Sequence, residues 1–116
     1  MVNKYTVQYL PLFYQDFVEI LDYIKYSLKN PEAALKLISD VENAIHERMH
    51  NPESFERFES SRERKYPYYR LYVKNFTIFY VVIDQSVNGE CESSISEKTV
   101  EIRRILYSQR NYDDLL

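Results

Sequence analysis

The chain has 116 residues and 14.1 kDa, is 45% hydrophobic and 28% charged, and carries a net charge of −3, which suits one globular core and excludes a disordered chain. One glycine excludes the Gly-rich loops that cradle phosphates, and a single cysteine, Cys91, excludes an intramolecular disulfide or a cysteine-based zinc cluster. No apolar run reaches a membrane span and MVNKYTVQYL lacks a signal peptide's apolar stretch, so a cytoplasmic protein with one domain over 1–116 is expected.

Residues 3–9, NKYTVQY, alternate and are rich in β-favouring types, which predicts a short strand ended by Leu10-Pro11. From Leu12, the apolar residues Phe13, Phe17, Ile20, Leu21, Ile24 and Leu28 recur at helical spacing, predicting an amphipathic helix to about Lys29. Asn30-Pro31-Glu32 then stops one helix and starts another: Asn caps, Pro suits the first helical position, and Glu faces the positive end of the dipole. Ala34, Ile38, Val41, Ile45 and Met49 form the second stripe, closed by Asn51-Pro52, so two antiparallel helices form a hairpin.

Residues 53–64 are polar, with Phe55 and Phe58 expected to tuck under the domain. Tyr66 to Lys74 reads as a strand with Tyr69, Leu71 and Val73 on one face and Tyr68, Arg70, Tyr72 and Lys74 on the other. After a turn at Lys74-Asn75, FTIFYVVI (76–83) is continuously apolar, the mark of a central strand buried on both faces. A polar, acidic loop over 85–98 leads to a last strand, Thr99 to Tyr107, and the tail SQRNYDDLL. The expected class is α+β: an N-terminal strand, a helical hairpin, then a three-stranded antiparallel meander, forming one four-stranded sheet packed on the helices.

Charge is uneven. Residues 1–56 carry five Lys/Arg against nine Asp/Glu, whereas 57–116 carry ten against nine. A pI of about 5.4 is unlike that of a protein bound by phosphate neutralisation, so no sequence-specific DNA binding is expected. His46-Glu47-Arg48-Met49-His50 matches the zinc-protease pattern HExxH. However, His50 falls where Asn51-Pro52 ends the helix, and both histidines lie away from the Ile38/Val41/Ile45 stripe. A solvated pair is expected, with no metal site and no cofactor. Cys91 sits in the polar loop with no histidine placed beside it, and reads as an ordinary loop thiol. The remaining candidate surface is cationic and tyrosine-rich: Arg70, Tyr68, Tyr72 and Lys74 on one strand, with Arg103 and Arg110 on or beyond another. Such groups can stabilise charge on a scissile phosphate and stack on unpaired bases without a metal; they are also ordinary solvent-facing strand residues.

LPLFYQDFVEILDYI, the hairpin turn NPEAA, RKYPYYRLYVKNFTIFYVVID and the closing VEIRRILYSQRNYDDLL together resemble the RelE/ParE family, the toxins of bacterial type II toxin–antitoxin pairs. The resemblance runs over nearly the whole chain apart from loop 85–98. It implies a growth-arresting, plasmid- or chromosome-stabilising toxin held inactive by an antitoxin, whose helix would lie in an apolar groove between helical hairpin and sheet.

RelE-like members cut mRNA on the ribosome, and on that resemblance Arg70, Lys74 and Arg110 would be catalytic in a metal-independent endoribonuclease. Two positions depart: an expected arginine falls on Thr77, and an expected terminal tyrosine falls near Leu116, with Tyr112 displaced from it. ParE-like members poison DNA gyrase and are not enzymes. On that resemblance, which the closing segment favours, Tyr68, Tyr72, Arg103, Arg104, Tyr107, Arg110 and Tyr112 would face the target. An inactive member that serves only as a binding partner is the third reading.

Overall fold

The computed structural model describes residues 2–55, 57–58, 66–84 and 95–108, the side chains at 2–4, 57–58, 84 and 95–97 excepted. The described elements are β1 (Val2–Tyr9), α1 (Pro11–Asp22), a π-helical turn (Tyr23–Ser27), α2 (Pro31–Arg48), β2 (Arg57–Phe58), β3 (Tyr68–Val73), β4 (Phe76–Asp84) and β5 (Ile95–Tyr107). They form the expected α+β arrangement, with the strands in the order β1-β5-β4-β3-β2. β1 runs parallel to β5 and the remaining pairs are antiparallel. The sheet has five strands where four were expected, because two residues of the polar segment, Arg57 and Phe58, pair with Tyr69 and Tyr68 at its edge.

β4 is central, and its unbroken apolar run is buried on both sides as expected. Ile78 and Tyr80 join the core under the helices with Phe13, Leu37, Val41, Ile45, Tyr69, Leu71 and Ile102. Phe79 and Val81 point the other way, into a smaller cluster with Tyr68 and Leu106. Leu37, absent from the expected stripe, is as buried as its neighbours. Phe55 does not tuck under the domain: it is 46% exposed, with its ring stacked on the Arg48 guanidinium.

β5 begins at Ile95 rather than Thr99, because 95–98 finds a parallel partner in 2–5 of β1 that local sequence does not announce. A bulge interrupts β5 as well. Phe79 faces Arg104 and Tyr80 faces Ile102, leaving Arg103 as the extra residue. The phase change was written in the spacing: Val100, Ile102 and Ile105, all in the helix-side core, are two and then three residues apart.

The tip of the helical hairpin departs most from the expectation. Asn30 caps α2 by accepting a 3.2 Å bond from the Ala33 N–H, with Pro31 at the start of the helix. Before it, the π-helical turn adds residues to the last turn of the first helix. Leu28, four residues after Ile24 and expected on the buried stripe, is therefore turned out and 55% exposed. The chain then reverses at Lys29, whose φ of 52° is in the left-handed region, while the Asn30 N–H reaches back to the Ile24 carbonyl at 3.0 Å. That is the helix-ending motif in which glycine normally takes the left-handed position. Lys29→Gly is accordingly expected to stabilise the fold by about 1 kcal/mol. An unfolding midpoint in urea that stays put or falls would show that the lysine is not strained there.

Candidate functional site

The hairpin strands β3 and β4 and the end of β5 carry most of the residues singled out from sequence, and the helices decide which of them are exposed. At the end of α2, Arg48 reaches under the sheet. Its Nη1 donates to the Arg70 carbonyl at 2.9 Å and to the Tyr80 hydroxyl at 3.0 Å. The Tyr80 hydroxyl donates onward to the Pro52 carbonyl at 2.8 Å, and the Arg48 guanidinium lies 3.4 Å from the centre of the Phe55 ring. Burial pushes the Tyr80 hydroxyl above its ordinary pKa, against the pull of Arg48. Tyr69 stacks on Tyr80 at 5.3 Å, so one arginine fixes the segment after α2, the β3 backbone at Arg70 and the central strand together.

Arg70 itself is half-buried, its guanidinium 5.9 Å from the ring centre of Tyr72, which is 59% exposed. Lys74 occupies the β3–β4 turn with φ 53°, and its Nζ lies 3.4 Å from the Asp40 carboxylate of α2. Thr77, where the ribonuclease resemblance calls for an arginine, is fully buried, with its hydroxyl 2.8 Å from that of Ser108. Tyr107 is partly exposed and packs edge-on against Phe76 at 5.9 Å.

Three residues expected on a binding face are engaged internally. Tyr68 is not on an open face: it is 4% exposed and meets Phe79 edge-on at 5.9 Å. Arg103 pairs with Glu101 at 2.9 Å, its guanidinium 5.9 Å from the Tyr68 ring centre. Arg104 forks onto Asp16 of α1, Nε to Oδ2 at 2.7 Å and Nη2 to Oδ1 at 2.9 Å. The cause is topological. β1 ends at Tyr9 opposite Ile102, so the edge of β5 beyond that point has no strand beside it. Asp16 covers it, accepting also from the Ile105 N–H at 3.3 Å. The Asp16 carboxylate raises the Arg104 pKa further, so the guanidinium stays charged.

Arg110 and Tyr112, like Cys91, lie outside the described residues. His46 and His50 are both exposed, their rings 5.7 Å apart across one turn. Among the described residues no group of three or more His, Cys, Asp or Glu is placed to hold a metal ion. None of the described helices is long and apolar enough to cross a membrane. Sequence reasoning passed over Arg48, Tyr80 and Asp16, which organise the region. A carboxylate or guanidinium on an amphipathic helix reads as solvated until its partner strand is known.

Between hairpin and sheet, Phe13, Leu37, Val41 and Ile45 pack against core residues of β3, β4 and β5. Exposed large apolar side chains include Leu12, Tyr14, Val18, Tyr23, Tyr26, Leu28 and Leu35 along the hairpin, and Phe55, Tyr72 and Tyr107 outside it.

A helical hairpin laid on a mixed sheet, with its first strand parallel to its last and a meander between, is the fold of a RelE/ParE-type toxin. The family model described as the ParE toxin of the type II toxin–antitoxin system parDE matches residues 7–112, and the chain belongs to that family. It is therefore the toxin of a type II pair and has a cognate antitoxin as partner. A search of curated proteins finds no match to the chain.

Proposed function

We propose that this toxin arrests growth in the ParE manner, by inhibiting DNA gyrase in the cytoplasm, and so stabilises the plasmid or chromosome that encodes it. The observation that carries this reading is Thr77. A ribonuclease of the related type needs a cation there, on β4, to stabilise charge on the phosphate. In this chain the position holds a buried hydroxyl bonded to Ser108, and a guanidinium in its place would be desolvated inside the sheet. Lys74, the neighbouring cation on that resemblance, is drawn toward Asp40. A pI of about 5.4 supports the same choice, since a ribosomal site is walled with phosphates. A protein that binds another protein needs no such cluster.

The test pairs two assays on the purified toxin. Supercoiling by gyrase is expected to be inhibited, and an mRNA translated in a cell-free system to stay intact. Fragments with codon-spaced 5′ ends that vanish when ribosomes are omitted would establish the ribonuclease and overturn the proposal.

A further inference from the structure

The HExxH stretch, which the proposed function leaves unused, holds the chain's two histidines, His46 and His50. Asn51-Pro52 was expected to end the helix at His50 and so to part the pair. The backbone instead keeps turning. The Met49 N–H donates to the Ile45 carbonyl at 3.1 Å, the His50 N–H to the Glu47 carbonyl at 3.2 Å and the Asn51 N–H to the Arg48 carbonyl at 3.0 Å. His50 therefore stays one turn beyond His46 on the same exposed side, where residues four apart on a helix are neighbours. Their ring centres are 5.7 Å apart with the planes at 78°. Neither imidazole is engaged in a hydrogen bond or an ion pair among the described residues.

That spacing fits a chelate. A Zn²⁺ ion about 2.0–2.1 Å from one nitrogen of each ring, held tetrahedrally, sets the two ring centres roughly 5 Å apart. The second side-chain torsion of histidine is broad, so small rotations of two unrestrained rings bring one nitrogen of each to a common point. The surrounding charge suits a cation as well. Both rings stand at the C-terminal end of α2, the negative end of its dipole, and Glu42 and Glu47 are exposed on the same helix. Arg48, the cation between the histidines in sequence, is withdrawn from them in space. Its guanidinium is bonded to the Arg70 carbonyl and the Tyr80 hydroxyl and is stacked on Phe55.

We propose that His46 and His50 form a two-imidazole chelate for a divalent transition-metal ion of the Zn²⁺ and Cu²⁺ class. Nitrogen donors select such ions over Mg²⁺ and Ca²⁺, which take oxygen ligands. Two protein ligands leave the ion's other positions to water, so the chelate is a binding site and lacks the three-ligand set of a zinc hydrolase. By bridging successive turns, the ion fixes the end of α2, which carries Arg48 and its contacts to β3 and β4. Metal bound to the folded chain stabilises it by mass action. The site is independent of whether the toxin acts on gyrase or on the ribosome.

The test titrates Zn²⁺ alone into the untagged toxin while the imidazole resonances are followed by NMR. With two histidines in the chain, His46→Ala and His50→Ala assign every signal. Both rings are expected to respond together and to saturate at one equivalent, with Cu²⁺ displacing Zn²⁺ and Mg²⁺ leaving both unmoved. Each single variant is expected to bind Zn²⁺ at least about tenfold more weakly. Both side chains are exposed, so the variants are expected to melt near the wild-type temperature in metal-free buffer. Saturating Zn²⁺ is expected to raise that temperature in the wild type and in neither variant. Cys91→Ser, which removes the chain's thiol, is expected to leave the affinity unchanged. A response from one ring alone, or wild-type affinity in either histidine variant, would reduce the pair to an edge-on ring contact and overturn the chelate. Loss of Zn²⁺ binding in Cys91→Ser would make the thiol the ligand and overturn it equally.

Discussion

Asp16→Ala is expected to destabilise the toxin by about 2–4 kcal/mol, one of the two largest effects of any single substitution considered. The carboxylate is 11% exposed and its partner Arg104 17% exposed, so removing Asp16 leaves a largely desolvated guanidinium without its bidentate counter-charge. It also strands the Ile105 N–H, on a stretch of β5 that no neighbouring strand reaches. The pair is less costly to remove whole than to break. Asp16→Leu/Arg104→Met is expected to recover most of the loss, because both unsatisfied charges disappear together. Urea unfolding of Asp16→Leu, Arg104→Met and the double variant measures this as a closed cycle. A double variant no better than the sum of the singles would show that the pair is not coupled.

The second large effect concerns Arg48. Arg48→Ala removes the donor to the Arg70 carbonyl and the Tyr80 hydroxyl, together with the cation stacked on Phe55. The expected cost is about 2–3 kcal/mol. The dependence on pH carries a further signature. Burial raises the Tyr80 pKa above its ordinary value of 10.0, and the hydrogen bond and charge of Arg48 pull it back down. The folded state thus keeps a proton that the unfolded chain gives up. The stability linked to it is complete below about pH 10 and is lost as pH rises through the raised value. Without Arg48 that value rises further, so the alkaline loss is larger in the variant than in the wild type. Unfolding midpoints at neutral pH and at about pH 11 compare the two. Tyr80→Phe in the Arg48→Ala background is expected to shrink the excess loss, and an unchanged slope would place the titration on another tyrosine, such as the half-buried Tyr9.

Much of the architecture was legible in the chain because local rules and tertiary demands agree there. Asn30-Pro31-Glu32 caps α2 as its residue types require. FTIFYVVI could sit only where both faces are covered, and the strand order puts it in the middle. Family membership was legible for the same reason, since the order of motifs along the chain follows the packing scheme of the whole fold rather than any single side chain.

What the sequence determined by itself was therefore the type and order of its main elements and the α+β class, carried by spacing, caps and apolar pattern, and the toxin family, carried by the resemblance of whole segments. What only the tertiary structure decided was which charges remain available. Arg104 and Lys74 look alike in sequence to Lys25 and Lys36, yet the first two meet carboxylates brought by α1 and α2 and the others form no ion pair among the described residues. A long-range partner has no local signature, so Asp16, 88 residues before Arg104, reads as a solvated helix residue until the chain is folded. The same holds for Leu28, whose periodicity points inward: only the extra residue in the last helical turn, a property of backbone packing at the hairpin, turns it to solvent.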